Sequence, residues 1–140
     1  MIEDMIEENK NNPLYGNESR MILTSDYKGL TYSIITFGTH PCDYVDVKNT
    51  MFDGKFYADI PIECHGGLTY SADYLPRTND KGWFIGWDYA HWGDLFYSQY
   101  NIDMGVIDIV SKEWTIDEVE EECKNVIDQL IKLTEKDISN

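Results

Sequence analysis

Residues 115–133 read TIDEVEEECKNVIDQLIKL, and two local signals in that stretch predict an amphipathic helix. Thr115 and Glu118 stand in the T-x-x-E spacing of a capping box, in which each side chain satisfies a backbone amide of the first turn. Ile116, Val119, Cys123, Val126, Ile127, Leu130, Ile131 and Leu133 then recur at three- and four-residue steps, so one apolar stripe must find a partner. Glu121, Lys124, Asp128 and Lys132 fall on the opposite face, and Asp117 and Glu118 sit where the helix dipole favours negative charge.

The partner is expected from the β-like pattern between Met21 and Trp92. Thr31 to Phe37 is rich in β-branched and aromatic residues, and Tyr44, Val45 and Val47 form a second run. Tyr57 to Cys64 alternates strictly, and Pro61, which has no N–H to give a ladder, places that predicted strand at an edge or a bulge. Trp83 to Ala90 is the most apolar, with Trp83, Ile85, Trp87 and Tyr89 on one face and Phe84, Gly86, Asp88 and Ala90 on the other. Ser71 to Gly82, with Pro76, Asn79, Asp80 and Gly82, reads as the loop before it, and Ile102 to Val110 as a short strand or a buried turn. The expected fold is α+β: a small, mainly antiparallel sheet of four to five strands with the C-terminal amphipathic helix packed on one face. Residues 21–140 would form this single domain, and residues 1–20 a polar N-terminal extension, either frayed, a short helix ending in turns, or an arm for a partner.

With 140 residues and 42% hydrophobic content the chain has material for one core, which excludes a disordered tail. Its formal charge of −15 argues against binding nucleic acid directly, since phosphate affinity comes from Lys and Arg displacing counterions. An acidic surface does suit a basic partner or the imitation of a polyanion. Neither a signal peptide nor an apolar run long enough for a membrane span is read, so the expected location is the cytoplasm, with no membrane partner. Cys42, Cys64 and Cys123 lack C-x-x-C spacing and are expected to be reduced and to serve as small hydrophobes.

Two blocks carry the candidate chemistry. The first, His65-Gly66-Gly67-Leu68-Thr69-Tyr70, pairs glycines that let backbone amides approach an anion, or else make a sharp turn. The second, Trp87-Asp88-Tyr89-Ala90-His91-Trp92-Gly93-Asp94, spaces Asp88, His91 and Asp94 by three among aromatic rings. If the chain leaves its strand near Ala90 and turns at Gly93, these groups converge with His65. Metal binding, acid–base catalysis by His91 oriented by Asp88 or Asp94, and recognition without turnover are all compatible with that set. The H-x22-D-x2-H-x2-D spacing matches no usual metal-ligand pair, and only Thr69 and Ser71 offer formal nucleophiles. Recognition asks least of the residues: rings stack on a base, glycine amides and imidazoles take phosphate, and carboxylates accept from hydroxyls. The ligand-binding set is therefore His65, Gly66, Gly67, Tyr70, Trp87, Asp88, His91 and Asp94, with no catalytic residue, cofactor or resident metal assigned. Arg77 and Lys81, ahead of Arg20 and Lys55, are the cations expected to assist, and His40, held by Pro41, is expected to be a surface or capping residue.

The same blocks resemble those of a family of short, mostly uncharacterised proteins frequent in bacteriophage and prophage genomes. That family is similar in an H-G-G-L-T-Y block, here His65 to Tyr70, and a later G-F/W-D-x-x-H-x-G-D block, here Gly86, Trp87, Asp88, His91, Gly93 and Asp94, followed by a C-terminal helix. The resemblance spans Cys42 to about Leu130 and departs at Tyr89 and Trp92, where small residues are common, and in the longer acidic N-terminus. It brings no assigned reaction, but it implies a context of counter-defence. Some such proteins sequester nucleotide second messengers of bacterial immunity, and others, anti-CRISPR inhibitors, are acidic and occupy the nucleic-acid groove of a nuclease. Three readings follow: a binding protein for a nucleotide-like host signal, an acidic inhibitor of a CRISPR nuclease, or a metal-dependent hydrolase using His65, His91, Asp88 and Asp94. The first leads, with a homodimer compatible with a small sheet's open edge.

Overall fold

A computed structural model describes residues 12–16, 18–97 and 111–139. Five antiparallel strands form one sheet: β1 (Arg20–Tyr27), β2 (Leu30–Thr36), β3 (Pro41–Asp46), β4 (Tyr70–Tyr74) and β5 (Lys81–Asp88), in the spatial order β1-β2-β3-β5-β4. Among the described residues one α-helix, α1 (Ile116–Ser139), lies across β2 and β3. This is the small α+β fold expected from the sequence.

The helix starts as its capping box requires. Glu118 N–H donates to Thr115 Oγ1, and Thr115 N–H donates back to Glu118 Oε1 at 3.1 Å. Val119, Cys123, Val126, Ile127 and Leu130 are its buried residues. They meet Tyr32, Ile34, Val45, Ile85 and Trp87 from the sheet, and each fully buried Val, Ile or Leu contributes about 1.5–3 kcal/mol. The other sheet face gathers Ile35, Cys42, Tyr44, Leu75 and Phe84 into a smaller cluster. Gly86 pairs with Tyr44 across β5 and β3, and a Cβ there would lie 2.5 Å from the Tyr44 ring; the glycine makes room for that ring in the middle of the sheet. Register shifts interrupt both edge strands, at Met21/Leu23 in β1 and Ala72/Tyr74 in β4, which blunts edges otherwise open to further pairing. All three cysteines are free, with Cys42 and Cys123 buried.

Three expectations need correction. Tyr57 to Cys64 is not a strand: Tyr57–Asp59 forms a 3₁₀ turn, Ile62 N–H donates back to Ile60 O at 2.9 Å, and the rest has no regular structure. Its backbone finds partners without a ladder, for Glu63 N–H donates to Gln129 Oε1 at 2.7 Å and Gln129 Nε2 donates to Glu63 O at 2.6 Å. The side-chain amide of α1 thus replaces a neighbouring strand, while Ile60 still buries as the alternation requires. The loop read over Ser71 to Gly82 begins with strand β4, whose Tyr70, Ser71 and Ala72 pair with Gly86, Ile85 and Phe84. Packing also extends before residue 21, since Leu14 and Tyr15 are buried in the core. The expectation for residues 102–110, and that for residues 1–11, lie outside the described residues.

Candidate functional site

The two blocks meet at the end of the sheet nearest the start of α1. The backbone leaves β5 at Asp88, passes Tyr89, and turns through His91–Asp94, where Asp94 N–H donates to His91 O at 2.9 Å. A parallel bridge then ties this turn to the segment before the helix: Lys112 N–H donates to Gly93 O, and Leu95 N–H to Lys112 O. That bridge carries Trp114 to the site.

Asp94 is the centre. Its side chain is 3% exposed, and it accepts hydrogen bonds from His65 Nε2 at 2.7 Å, from the His91 backbone amide at 3.0 Å and from Trp114 Nε1 at 2.9 Å. Burial alone would raise its pKa, but the His65, His91 and Trp114 donors outweigh burial and hold the carboxyl below its ordinary value. The His65 ring stacks on Tyr89 at 4.9 Å and 9°, and meets the edge of Trp114 at 4.8 Å. Its backbone amide donates to Glu122 of the helix at 3.0 Å. The His91 ring lies 5.5 Å from that of His65 and presents Nδ1 at 3.6 Å from Asp94 and 3.8 Å from Asp88. Both imidazoles stay partly open to solvent, 27% for His65 and 35% for His91.

The glycines serve this arrangement differently from the anion cradle that the sequence suggested. Gly66 has φ +70°, and a Cβ there would sit 2.1 Å from His91 Cε1, so His91 occupies the space that the missing side chain leaves. Gly67 N–H is already used, donating to Cys64 O at 2.9 Å within the turn.

The remaining predicted residues divide between two places. Trp87 is 1% exposed with its indole in the helix-side core, donating to Tyr89 Oη, so it supports the site from beneath and presents no stacking face. Tyr89 Oη in turn donates to Asp43 at 2.8 Å; burial holds the Asp43 carboxyl well above the usual carboxylate range. Tyr70 lies on the other face, edge-on to Tyr44 at 5.3 Å, with its hydroxyl donating to Tyr74 O. Tyr70 and Asp88 there border a cavity of about 220 Å³ that Trp87 also lines, with Phe37, His40, Cys42 and Tyr44. It falls below the roughly 300–1,000 Å³ of ordinary small-molecule pockets. Asp88 stands between the two places, accepting from Thr69 Oγ1 at 3.2 Å and from the Ala90 amide. His40 is not a surface residue: it is half-buried between Phe37 and Phe96, and burial lowers its pKa.

The expected cations do not reach the histidines. Arg77 lies over the Phe37 ring, Arg20 donates to Pro13 O, and Lys81 starts β5, seven residues or about 23 Å along the strand from Asp88. Trp114 was not foreseen, although its place one residue before the helix cap is where a hydrophobic staple sits. Trp92, between His91 and Asp94 in sequence, is fully exposed. No family model, curated protein or solved structure matches the chain.

Proposed function

We propose that the chain is a recognition protein that holds a small nucleotide-like ligand at the His65–His91–Asp94 cluster and sequesters it without turnover, in the counter-defence setting that its phage-like blocks suggest. The observation that carries this reading is the convergence of two imidazoles, 5.5 Å apart and both partly open to solvent, on one buried carboxylate. An acidic decoy needs only surface carboxylates, and the two blocks would then have no reason to leave imidazole edges open around a sequestered acid. Trp92, next to His91 in sequence, is fully exposed and offers an indole on which a base can stack. Tyr89 and Trp114 hold His65 rigid from two sides, which limits the entropy lost on binding.

The test is to purify the protein from cells that contain the signal, denature it by heat, and identify released small molecules by mass spectrometry. A nucleotide-like compound is expected from the wild type and not from a folded His91→Ala variant. Empty supernatants from both, together with undiminished protection of phage by His65→Ala and His91→Ala variants, would overturn the reading.

A further inference from the structure

We infer that His65, His91 and Asp94 form a divalent transition-metal site, through which an anionic ligand is held; the ligand clause rests on the reading above, the metal site on geometry alone. One ligand atom from each of the three residues lies within 4.8 Å of the others. Two ligands bound to one ion at about 2.1 Å must lie about 3.0 Å apart at a right angle and about 3.4 Å apart at the tetrahedral angle. The His65 Nε2 to Asp94 distance of 2.7 Å and the His91 Nδ1 to Asp94 distance of 3.6 Å bracket that range, and with all three ligand atoms within 4.8 Å of one another, an ion draws the two partly exposed imidazoles together by rotation of their rings.

A proton explains only half of this arrangement. A His65–Asp94 hydrogen bond accounts for the 2.7 Å contact, yet His91 Nδ1 is buried and has no hydrogen-bond partner among the described residues while aimed at the same carboxylate. An ion uses both nitrogen lone pairs at once. The surroundings resemble the outer shell of metal centres, where second hydrogen bonds fix the ligands: Trp114 Nε1 and the His91 amide hold Asp94, Tyr89 and Trp114 hold the His65 ring, and Gly66 seats the His91 ring. Two imidazoles with one carboxylate suit zinc, iron(II), cobalt or manganese rather than magnesium or calcium, which prefer oxygen throughout.

Charge gives the site a purpose. The chain carries −15, and Lys112, whose backbone bridges to Asp94, lies with its ammonium over the Trp114 ring and is paired with Glu118. A phosphate approaching Asp94 and Asp88 meets like-charge repulsion, which is stronger near a protein surface than in bulk water. A divalent ion reverses the local sign, and with three protein ligands it keeps a position for a phosphate oxygen or water. The spacing of these residues along the chain matches no usual metal-ligand pair; the turn at His91–Asp94 supplies the convergence that spacing does not.

The experiment is a titration of untagged, chelator-stripped protein with Co²⁺, followed by its visible d–d absorption, with Zn²⁺ as competitor. Saturation at one equivalent is expected, displaced by Zn²⁺, with affinity lowered at least 100-fold in His91→Ala and in Asp94→Asn and changed less than threefold in Asp128→Asn, which alters a carboxylate elsewhere, on α1, that pairs with Lys28. His91→Ala removes a partly exposed ring, so circular dichroism is expected to stay native; should it not, His91→Gln with native dichroism replaces it. Absence of saturable binding, or equal affinity in wild type and a folded His91 variant, overturns the site. Metal binding with nothing released on heating would keep the site and remove sequestration. A released nucleotide without Co²⁺ binding would do the reverse.

Discussion

Gly66 and Gly67 offer a comparison in which one variable changes. Both have positive φ, +70° and +82°, so alanine at either position takes on the strain of the left-handed region, about 1–2 kcal/mol. Only Gly66 faces a neighbour. An alanine Cβ there would lie 2.1 Å from His91 Cε1 and 2.4 Å from Nε2, whereas a Cβ at Gly67 meets nothing within 4 Å. Three ring atoms of His91 fall inside 2.7 Å of that Cβ, so no small rotation relieves the clash and the imidazole must swing out to solvent. Losing its packing adds about 1 kcal/mol, giving roughly 2–3 kcal/mol for Gly66→Ala against 1–2 for Gly67→Ala. At about 3–4 °C per kcal/mol for a chain of this size, the melting temperatures should fall by roughly 6–12 °C and 3–8 °C. The decisive assay is histidine-selective NMR. Gly66→Ala should move the His91 ring signals toward those of a free imidazole, and Gly67→Ala should leave those signals where they are in the wild type. Equal melting temperatures with unmoved His91 signals in both variants would refute the argument that Gly66 exists to seat that ring.

Trp114→Phe keeps a ring against His65 but removes the indole N–H given to a buried carboxylate, and should cost about 1.5–3 kcal/mol in urea unfolding; no loss would mean that the indole does not hold Asp94. Asp43→Asn tests the buried acid under Tyr89. Burial raises the Asp43 pKa, so the folded state keeps a proton that the unfolded chain, with a carboxyl near 3.9, releases; stability therefore falls as pH rises from about 4 to the folded-state value, by about 1.4 kcal/mol per unit of separation. The asparagine cannot ionise yet still accepts from Tyr89, so its unfolding free energy should be flatter above pH 4 and higher at neutral pH, and parallel pH curves would contradict this. Gln129→Leu removes both partners of the Glu63 backbone, and the Glu63 amide should exchange with solvent roughly tenfold faster, about 1.4 kcal/mol, while Val45 in the sheet is unaffected.

The helix was legible because its signals are local: a Thr115–Glu118 box and an apolar stripe, each readable within a few turns. Strand β5 was legible because its residues alternate between two covered faces. The segment over Tyr57 to Cys64 alternates just as cleanly, but alternation records only which side chains bury and says nothing of what satisfies the backbone; here that partner is Gln129, 66 residues away. Strand β4 carries polar Ser71 and Asp73 beside a bulge, and only the ladder to β5 reveals it. The convergence of His65 with His91 was expected from a strand pair ending at Cys64 and Ala90; no strand precedes His65, and the two rings meet through the His91–Asp94 turn instead. What the glycines do there did not follow, since a cradle for an anion and a seat for an imidazole need the same absent Cβ. Trp114 was hidden for another reason: its contact with Asp94 depends on the parallel bridge between Asp94 and Lys112, a tertiary pairing that no periodicity encodes.

The two imidazoles are the point on which ligand and metal readings both stand. A nuclear Overhauser measurement between assigned ring protons of His65 and His91 examines it without assuming any ligand. Ring centres 5.5 Å apart predict a clear cross-peak in the wild type, lost in Gly66→Ala as His91 swings away. A wild-type spectrum with both rings assigned and no cross-peak would separate the two blocks and leave neither reading a site.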